Sequence, residues 1–429
     1  MDVQVFKFGG ASVRDKEQIE NVTEILKHFR DVNLIVIISA MGKTTNALEE
    51  VVDRYFYKTG DPYIKLEEIK KQHYSILDLL VPGSSMLQEL NDVFISIEWI
   101  LEEEVEDSYA YVYDQIVSAG ELLSTKIVHA YLLKEGLSSH WLDVRDVLIT
   151  DDTYREAKVD WAASQAKISK TCGNILEKKN IVVTQGFIGS SAENNTTTLG
   201  REGSDYTAGI FSFCLDAKSM HIWKDVPGIL TADPAQFDNV AHIERLSYKE
   251  AVEMTYYGAK VIHPKTIKPL QNKEIPLYVR PFNNFKSLGT IITKDTGNSY
   301  PPIVVIEPNQ TLLHISANDF SFIAEHHLSM IFTLLHKHRI KVNMMVNTAI
   351  SFTLSVNHDE KKIESFIAEV GIEFKILLDK DLELITVRHY SDSLLESMKS
   401  GKVVLLEEVL KDTARVVVKD IPMMKRKNK

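Results

Sequence analysis

Three cations in this chain stand close to glycine: Lys7 in KFGGASV, Arg201 in TTTLGREGSDYTA and Lys260 in YYGAKVIHP. Glycine allows a backbone to approach a ligand closely, and the N–H groups of a glycine-rich turn beside an ammonium can reach phosphate oxygens. Arginine adds a planar fork that matches a carboxylate or a phosphate. Acidic residues lie in the same motifs or between them: Asp205 just after Arg201, Asp225 in WKDVPG, and Glu121 in SAGELLSTKIVHAYLL. Each has an ordinary explanation as well. A lysine before a Gly-Gly turn or after a helix end is commonly a surface charge, Ser204 can be a simple N-cap, and Glu121, taken alone, reads as a solvated helix carboxylate.

These side chains need elements to hold them. Residues 3 to 8 (VQVFKF) alternate as a strand that runs into Gly9 and Gly10. Asp15 to Arg30 has the apolar spacing of one helix face, and Leu34 to Ala40 is a continuous apolar run, as in a central parallel strand. Together they form a βαβ unit. Thr45 to about Leu133 is mostly helical in pattern, with Glu121 on a helix beginning near Ser118, and strand-like pieces recur at 139–143, 181–184 and 219–223. The chain is organised around Thr184 to Ala208. A buried strand enters a loop punctuated by Gly186, Gly189, Gly200 and Gly203, and a helix starts near Ser204 and Asp205. Such a junction turns free N–H groups and the positive end of a helix dipole toward an anion. In WKDVPGILTADP, Lys224, Asp225 and Leu230 read either as two consecutive turns or as a nucleotide-facing edge. Ser247 and Glu250 have capping-box spacing, with Gly258 as the stop before Lys260. Ligands of an α/β sandwich gather beyond the carboxyl ends of its strands, where Gly9, Ser39, Gly186 and Asp225 would sit.

At 429 residues the chain calls for two or three domains. Polar turn residues near Lys294 to Pro302 mark a boundary, and from 303 to 429 strand and helix patterns follow the β-α-β-β-α-β order, with parts of a second such module that is possibly interleaved with the first. A net charge of −11 argues against a general nucleic-acid binder, and there is no continuous apolar run long enough for a membrane span. The N-terminus lacks the pattern of a signal peptide, and Cys172 and Cys214 form no disulfide framework, which fits a cytoplasmic protein. The KRKNK end reads as a solvated basic tail.

In their order, KFGGASV, TQGFIG with TTTLGREGSDYTA, WKDVPGILTADP and YGAKVIHPKTIKP resemble the aspartokinases of the amino acid kinase family, with ACT-type regulatory modules behind. The resemblance implies a three-layer α/β/α kinase domain over 1–294 and ferredoxin-like ACT modules over 303–429. It also implies transfer of the ATP γ-phosphate, with Mg²⁺, to the side chain of L-aspartate, at the head of lysine, threonine and methionine biosynthesis. Lys7 would hold the transferring phosphoryl group with Gly9 and Gly10, Lys260 would contact ATP phosphates, and Asp205 would organise Lys7 and Mg²⁺. Arg201 would clamp the substrate α-carboxylate, Glu121 would pair with its α-amino group, and Ser39, Thr45 and Ser204 would add hydroxyl contacts. Lys224, Asp225 and Leu230 would line the nucleotide edge. A homodimer through the ACT modules, an amino-acid effector and the lack of a fused homoserine dehydrogenase are further implications. The chain departs from the family pattern at Ala11, Glu202, Lys224 and Ala235, and Asn343 stands where lysine-sensitive relatives carry Asp, which puts lysine feedback in question. A kinase of another amino-acid carboxylate and an amino-acid sensor with a weakened kinase site are the competing readings.

Overall fold

The computed structural model describes residues 2–259, 262–294, 299–318 and 322–421. Contacts divide the chain into two compact units. The first comprises Met1–Ile229, His242–Val252 and Val261–Gly297; the second comprises Leu230–Ala241, Glu253–Lys260 and Asn298–Lys429. The sequence assigns everything up to residue 294 to one domain. In the structure, two short segments of that stretch belong with the second unit instead.

In the first unit the elements run β1 (Val3–Phe8), α1 (Lys16–His28), β2 (Asn33–Ile38), then α2 (Thr44–Tyr57), α3 (Pro62–Leu80), α4 (Met86–Glu102), α5 (Tyr109–Val117) and α6 (Ala119–Lys134). They continue with β3 (Ser139–Leu142), α7 (Trp161–Leu176), β4 (Ile181–Gln185), β5 (Ile188–Ser190), β6 (Thr196–Thr198), α8 (Gly203–Cys214) and β7 (Ser219–Lys224). The chain then passes β8 (Ile229–Leu230), β9 (His242–Ile243), β10 (Arg245–Ser247), α9 (Tyr248–Tyr256), α10 (Pro264–Asn272), β11 (Leu277–Pro281) and β12 (Thr290–Thr293). Eight strands form one sheet in the order β10-β12-β11-β7-β1-β2-β4-β3, parallel except for the β11–β12 pair.

Alternation along the strands sorts the side chains into two layers. Phe6, Phe8, Leu34, Val36, Ile38, Val183 and Trp223 face a core built with α1 to α6. The intervening positions, including Lys7 and Ile222, face the side where α8 packs. From Leu34 on, strand β2 is buried on both faces and is therefore apolar without a break. The stretch Tyr109–Lys134 is long and apolar enough to cross a membrane by length and composition, but 83% of its most apolar window is buried inside the protein. Its two helices, α5 and α6, both contribute side chains to the core of this layer.

The second unit contains β13 (Ile303–Ala317), α11 (Glu325–Lys337), β14 (Val342–Asn347), β15 (Ser351–Asn357), α12 (Glu360–Val370), β16 (Phe374–Arg388), α13 (Asp392–Lys399), β17 (Lys402–Val409) and β18 (Thr413–Asp420). They make one antiparallel sheet, β14-β15-β13-β16-β18-β17. Two split βαβ modules share it, because β13 and β16 each run through both. Within β13 and β16 the sequence pattern marks only 312–317 and 383–388 as strand. The strand that closes the first module is Phe374–Leu382, whereas Glu383–Arg388 pairs with β18 of the second.

The loop after β4 packs against the start of α8 so closely that a Cβ on Gly186 would lie 2.5 Å from Ser204 Cβ. Gly173, in the last turn of α7, has open space around it. Gly186→Ala should therefore destabilise the protein by about 1–3 kcal/mol through overpacking, while Gly173→Ala should stabilise it by about 0.5–1 kcal/mol through helix propensity. Urea unfolding of both variants checks the two signs.

Candidate active site

The carboxyl ends of β1, β2, β4 and β7 lie side by side, and the loops that leave them carry the residues singled out in the sequence. Lys7 sits one residue before the end of β1. Its ammonium is 2.7 Å from a carboxylate oxygen of Asp205, which lies in the first turn of α8 and is only 4% exposed. Helix α8 begins at Glu202 in the left-handed region (φ 56°) without a side-chain cap, so its first N–H groups stay with the loop. Ser204, buried against Gly186, serves packing and not capping. Thr207 ties the junction together, accepting from the Phe187 N–H (3.0 Å) and donating to the Gly203 carbonyl (3.0 Å).

The Gly9-Gly10 turn is laced to the loop after β2. Ser39 N–H donates to Phe8 O (3.1 Å) and Gly42 N–H to Gly10 O (3.0 Å). A Cβ on Gly10 would meet the Ala40 carbonyl at 2.7 Å, so glycine is required by chain packing there, whatever it does for a ligand. The Lys7 ammonium lies within 3.5 Å of where a Gly9 Cβ would be, folded back over the turn. Thr45 is half-buried in the first turn of α2.

Glu121 departs most from its solvated-carboxylate reading. It is 3% exposed, in the first turn of α6. One oxygen accepts from the Ala40 N–H (3.1 Å) and the other has no hydrogen-bond partner. Burial pushes its pKa up to about 8, against the pull of the Ala40 hydrogen bond and the nearby Lys7 charge. A buried, half-satisfied carboxyl group beside a cation is poised for a polar ligand.

Arg201 and Asp225 are exposed, at the loop before α8 and just beyond β7. Lys224 is the last residue of β7 and is half-buried. Leu230 belongs to the second unit, and Lys260 lies outside the described residues. Among the described residues no group of three or more His, Cys, Asp or Glu is arranged to hold a metal ion.

The sequence also hides a residue that supports the site. Asp114 of α5 is fully buried and accepts from Arg155 N–H (3.0 Å), Thr198 N–H (2.8 Å) and Thr198 Oγ1 (2.7 Å). Burial pushes its pKa up to about 6, with these hydrogen bonds pulling the other way. Asp114 thereby pins the strand that leads, three residues later, to Arg201. The signal available in the sequence is an acid between Val112, Tyr113 and Ile116, on the apolar side of its helix.

A model described as Amino acid kinase family matches residues 2–281. The lysine-sensitive aspartokinase 3 of Escherichia coli is 31% identical over 402 residues, 90% of this chain and 87% of that protein. The crystal structure of E. coli aspartokinase III with aspartate and ADP superposes with a TM-score of 0.83 at 27% identity, covering 97% of this chain and 96% of the other. Its lysine- and aspartate-bound T-state gives 0.82 at the same identity and coverage.

The raised pKa of Glu121 has a consequence for stability. The folded chain holds its proton up to about pH 8, and the unfolded chain releases it near the ordinary glutamate value of 4.5. Between those limits the folded state binds more protons, so this group's contribution to stability is intact below the unfolded pKa and is lost as pH rises through the folded one. Glu121→Gln removes the loss. In urea titrations the ligand-free variant should gain on the wild type as pH goes from 6 to 9, by an amount on the order of a few kcal/mol. A difference between the two that stays constant with pH would contradict the assignment.

Proposed function

This chain belongs to the amino acid kinase family, on its aspartokinase branch, and from that membership we infer that it transfers the γ-phosphoryl group of ATP to the side-chain carboxylate of L-aspartate, giving 4-phospho-L-aspartate and ADP. The observation that carries the inference is the convergence, at the carboxyl ends of the parallel strands, of the Lys7–Asp205 pair with the buried carboxyl of Glu121. E. coli aspartokinase III, which superposes on nearly the whole chain, binds aspartate and ADP.

The acceptor needs no general base, because an aspartate side chain is already ionised at neutral pH. The task is to bring two anions together and to hold the charge that moves between them, which is positioning and electrostatics. In this reading Lys7, with the N–H groups of Gly9 and Gly10, supports the transferring phosphoryl group, and Asp205 fixes the direction of the Lys7 ammonium. Arg201 clamps the α-carboxylate of the substrate. Glu121 ionises as it accepts the α-ammonium, which supplies the missing partner of its second oxygen. Ser39, Thr45 and Ser204 add polar contacts, Asp225 lies at the nucleotide edge, and Lys260 meets the phosphates. Asp205 is the buried carboxylate that would help to hold a Mg²⁺ ion brought by the nucleotide, which would supply neutralisation of phosphate charge. The reading extends to a cytoplasmic homodimer joined through the second unit and to control by an amino acid bound there.

Hydroxylamine trapping of the acyl phosphate formed from ATP, Mg²⁺ and L-aspartate is the direct test. Product with aspartate and none with glutamate or N-acetylglutamate is expected. Lys7→Ala should lower kcat about 10²-fold or more, and Arg201→Ala should raise the KM for aspartate roughly 10- to 100-fold with a smaller change in the KM for ATP. Near-normal turnover in folded Lys7→Ala protein would remove Lys7 from the mechanism, and no product from folded wild type would remove the activity itself.

A further inference from the structure

Arg201 and Glu121, the two groups that would meet the α-carboxylate and α-ammonium of the substrate, stand on different elements, and one helical run links them. Helices α5 and α6 continue into one another through Ser118, whose own backbone is helical (φ −57°, ψ −24°). Asp114 and Glu121 are seven residues apart on this run, so they share a face, two turns or about 10 Å from each other. Glu121 lies at one point of that face. At the other, Asp114 takes hold of the chain that leads to Arg201.

The hold has several parts. Gln115 pairs with the backbone of Thr196, accepting from its N–H (3.2 Å) and donating to its carbonyl (2.8 Å), which fixes the start of β6 on α5. Asp114 accepts from the N–H and the hydroxyl of Thr198 at the end of β6, and also from the N–H of Arg155. Arg155 presents that N–H with its backbone in the left-handed region (φ 71°), a conformation that costs an arginine energy. Its turn is packed against the loop that follows β6. Ala157 N–H donates to Thr198 O (2.9 Å), and a Cβ on Gly200 would lie 3.0 Å from the Arg155 carbonyl oxygen. Arg201 is the next residue.

The Arg155 side chain carries this brace to a third element. Its guanidinium lies over the rings of Tyr113 (4.5 Å) and Tyr109 (5.4 Å), whose hydroxyls donate to Glu49 (2.6 Å) and Asp53 (2.8 Å) of α2. Thr45 is in the first turn of that helix. Backbone strain persists where the surroundings over-determine it, and Arg155 is fixed through its N–H, its carbonyl side and its guanidinium alike.

We propose that Asp114 and Arg155 are positioning residues for the amino-acid substrate, which set where the Arg201 guanidinium stands relative to Glu121 and Thr45. The inference deepens the aspartate kinase reading and rests on it. A clamp on the α-carboxylate helps only if it is held in place before the substrate arrives, and a small displacement of it loses substrate affinity while leaving the nucleotide contacts alone.

The test measures kcat and both KM values in three variants, with urea unfolding alongside. Asp114→Asn keeps the shape of the side chain but turns one acceptor into a donor that faces donors. It should raise the KM for aspartate about 10-fold or more, with the KM for ATP within about twofold of wild type. Arg155→Gly suits the left-handed backbone and removes the guanidinium. Its unfolding midpoint should stay close to that of wild type while its KM for aspartate rises roughly three- to tenfold. Arg155→Lys, which keeps a cation for the two rings, should recover most of that loss. Unchanged aspartate KM in Asp114→Asn and Arg155→Gly would overturn the proposal, and equal rises in the two KM values would assign both residues to general packing. If Asp114→Asn does not fold, the two Arg155 variants carry the comparison. Wild-type protein without aspartate turnover would remove the kinase reading and this inference with it, whereas an active wild type with indifferent variants removes this inference alone.

Discussion

A lysine ammonium and an aspartate carboxylate, both largely withdrawn from water, meet at the end of the central strand. A buried ion pair of this kind is a poor source of stability, because desolvation offsets most of the attraction. Breaking it by deleting one partner is costly, since the other is left as an isolated buried charge. The pair therefore constrains the fold more than it stabilises it. Strand β1 must lie between β2 and β7, α8 must start beside it, and the loop after β4 must be thin enough to let α8 in. The glycines at 10 and 186 answer this last demand. Each faces a backbone or side chain that a Cβ would strike, so their service to any anion follows from how tightly they let the loops close.

Around that pair the site separates its charges by burial. Glu121 is held neutral near pH 7 by its environment, whereas Lys7 has a counter-ion at hydrogen-bond distance. A substrate ammonium reaching Glu121 reverses its preference by supplying the missing charge. On the reading proposed above, binding of a free amino acid and ionisation of Glu121 would be one event. An acyl group on that amine would remove the charge and leave Glu121 neutral, so the same burial would select against N-acylated substrates.

Much of this framework is legible in the sequence, because strand parity, glycine placement and helix caps are local properties. Asp15 caps α1, the Ser247 hydroxyl accepts from the Glu250 N–H, and Gly258 takes the left-handed region as a helix stop requires. What the sequence hides depends on partners far along the chain. Glu121 looks solvated because burial is set by the loop after β2, some eighty residues earlier. Asp114 looks like one acid among many because its partners, Arg155 and Thr198, come from two later loops. The long strands β13 and β16 escape for a different reason. In β13 the polar stretch Glu307-Pro308-Asn309-Gln310 separates two apolar runs, and in β16 the first half is largely exposed and runs into Asp379-Lys380-Asp381, so neither reads as one continuous strand.

Those shared strands also limit how the second unit can behave. The first half of β13 pairs with the last residues of β16, which in turn pair with β18, while the second half of β13 and the first half of β16 build the other module. Neither module owns a complete sheet, so a shift in one is transmitted to the other through covalently continuous strands and not through a soft interface. The same unit includes the end of α9. Tyr257 lies under the Arg415 guanidinium (4.9 Å), Glu253 pairs with Arg388 (3.3 Å), and a Cβ on Gly258 would strike the Glu307 side chain. Arg388 and Arg415 are both buried, and the Arg415 guanidinium also donates to the carbonyl of Asn343 in β14. Asn343 itself is buried in an amide network, its Nδ2 donating to Gln310 and Asn357. The asparagine that replaces an expected carboxylate is thus used inside the sheet, and through Arg415 it is linked to the ring of Tyr257.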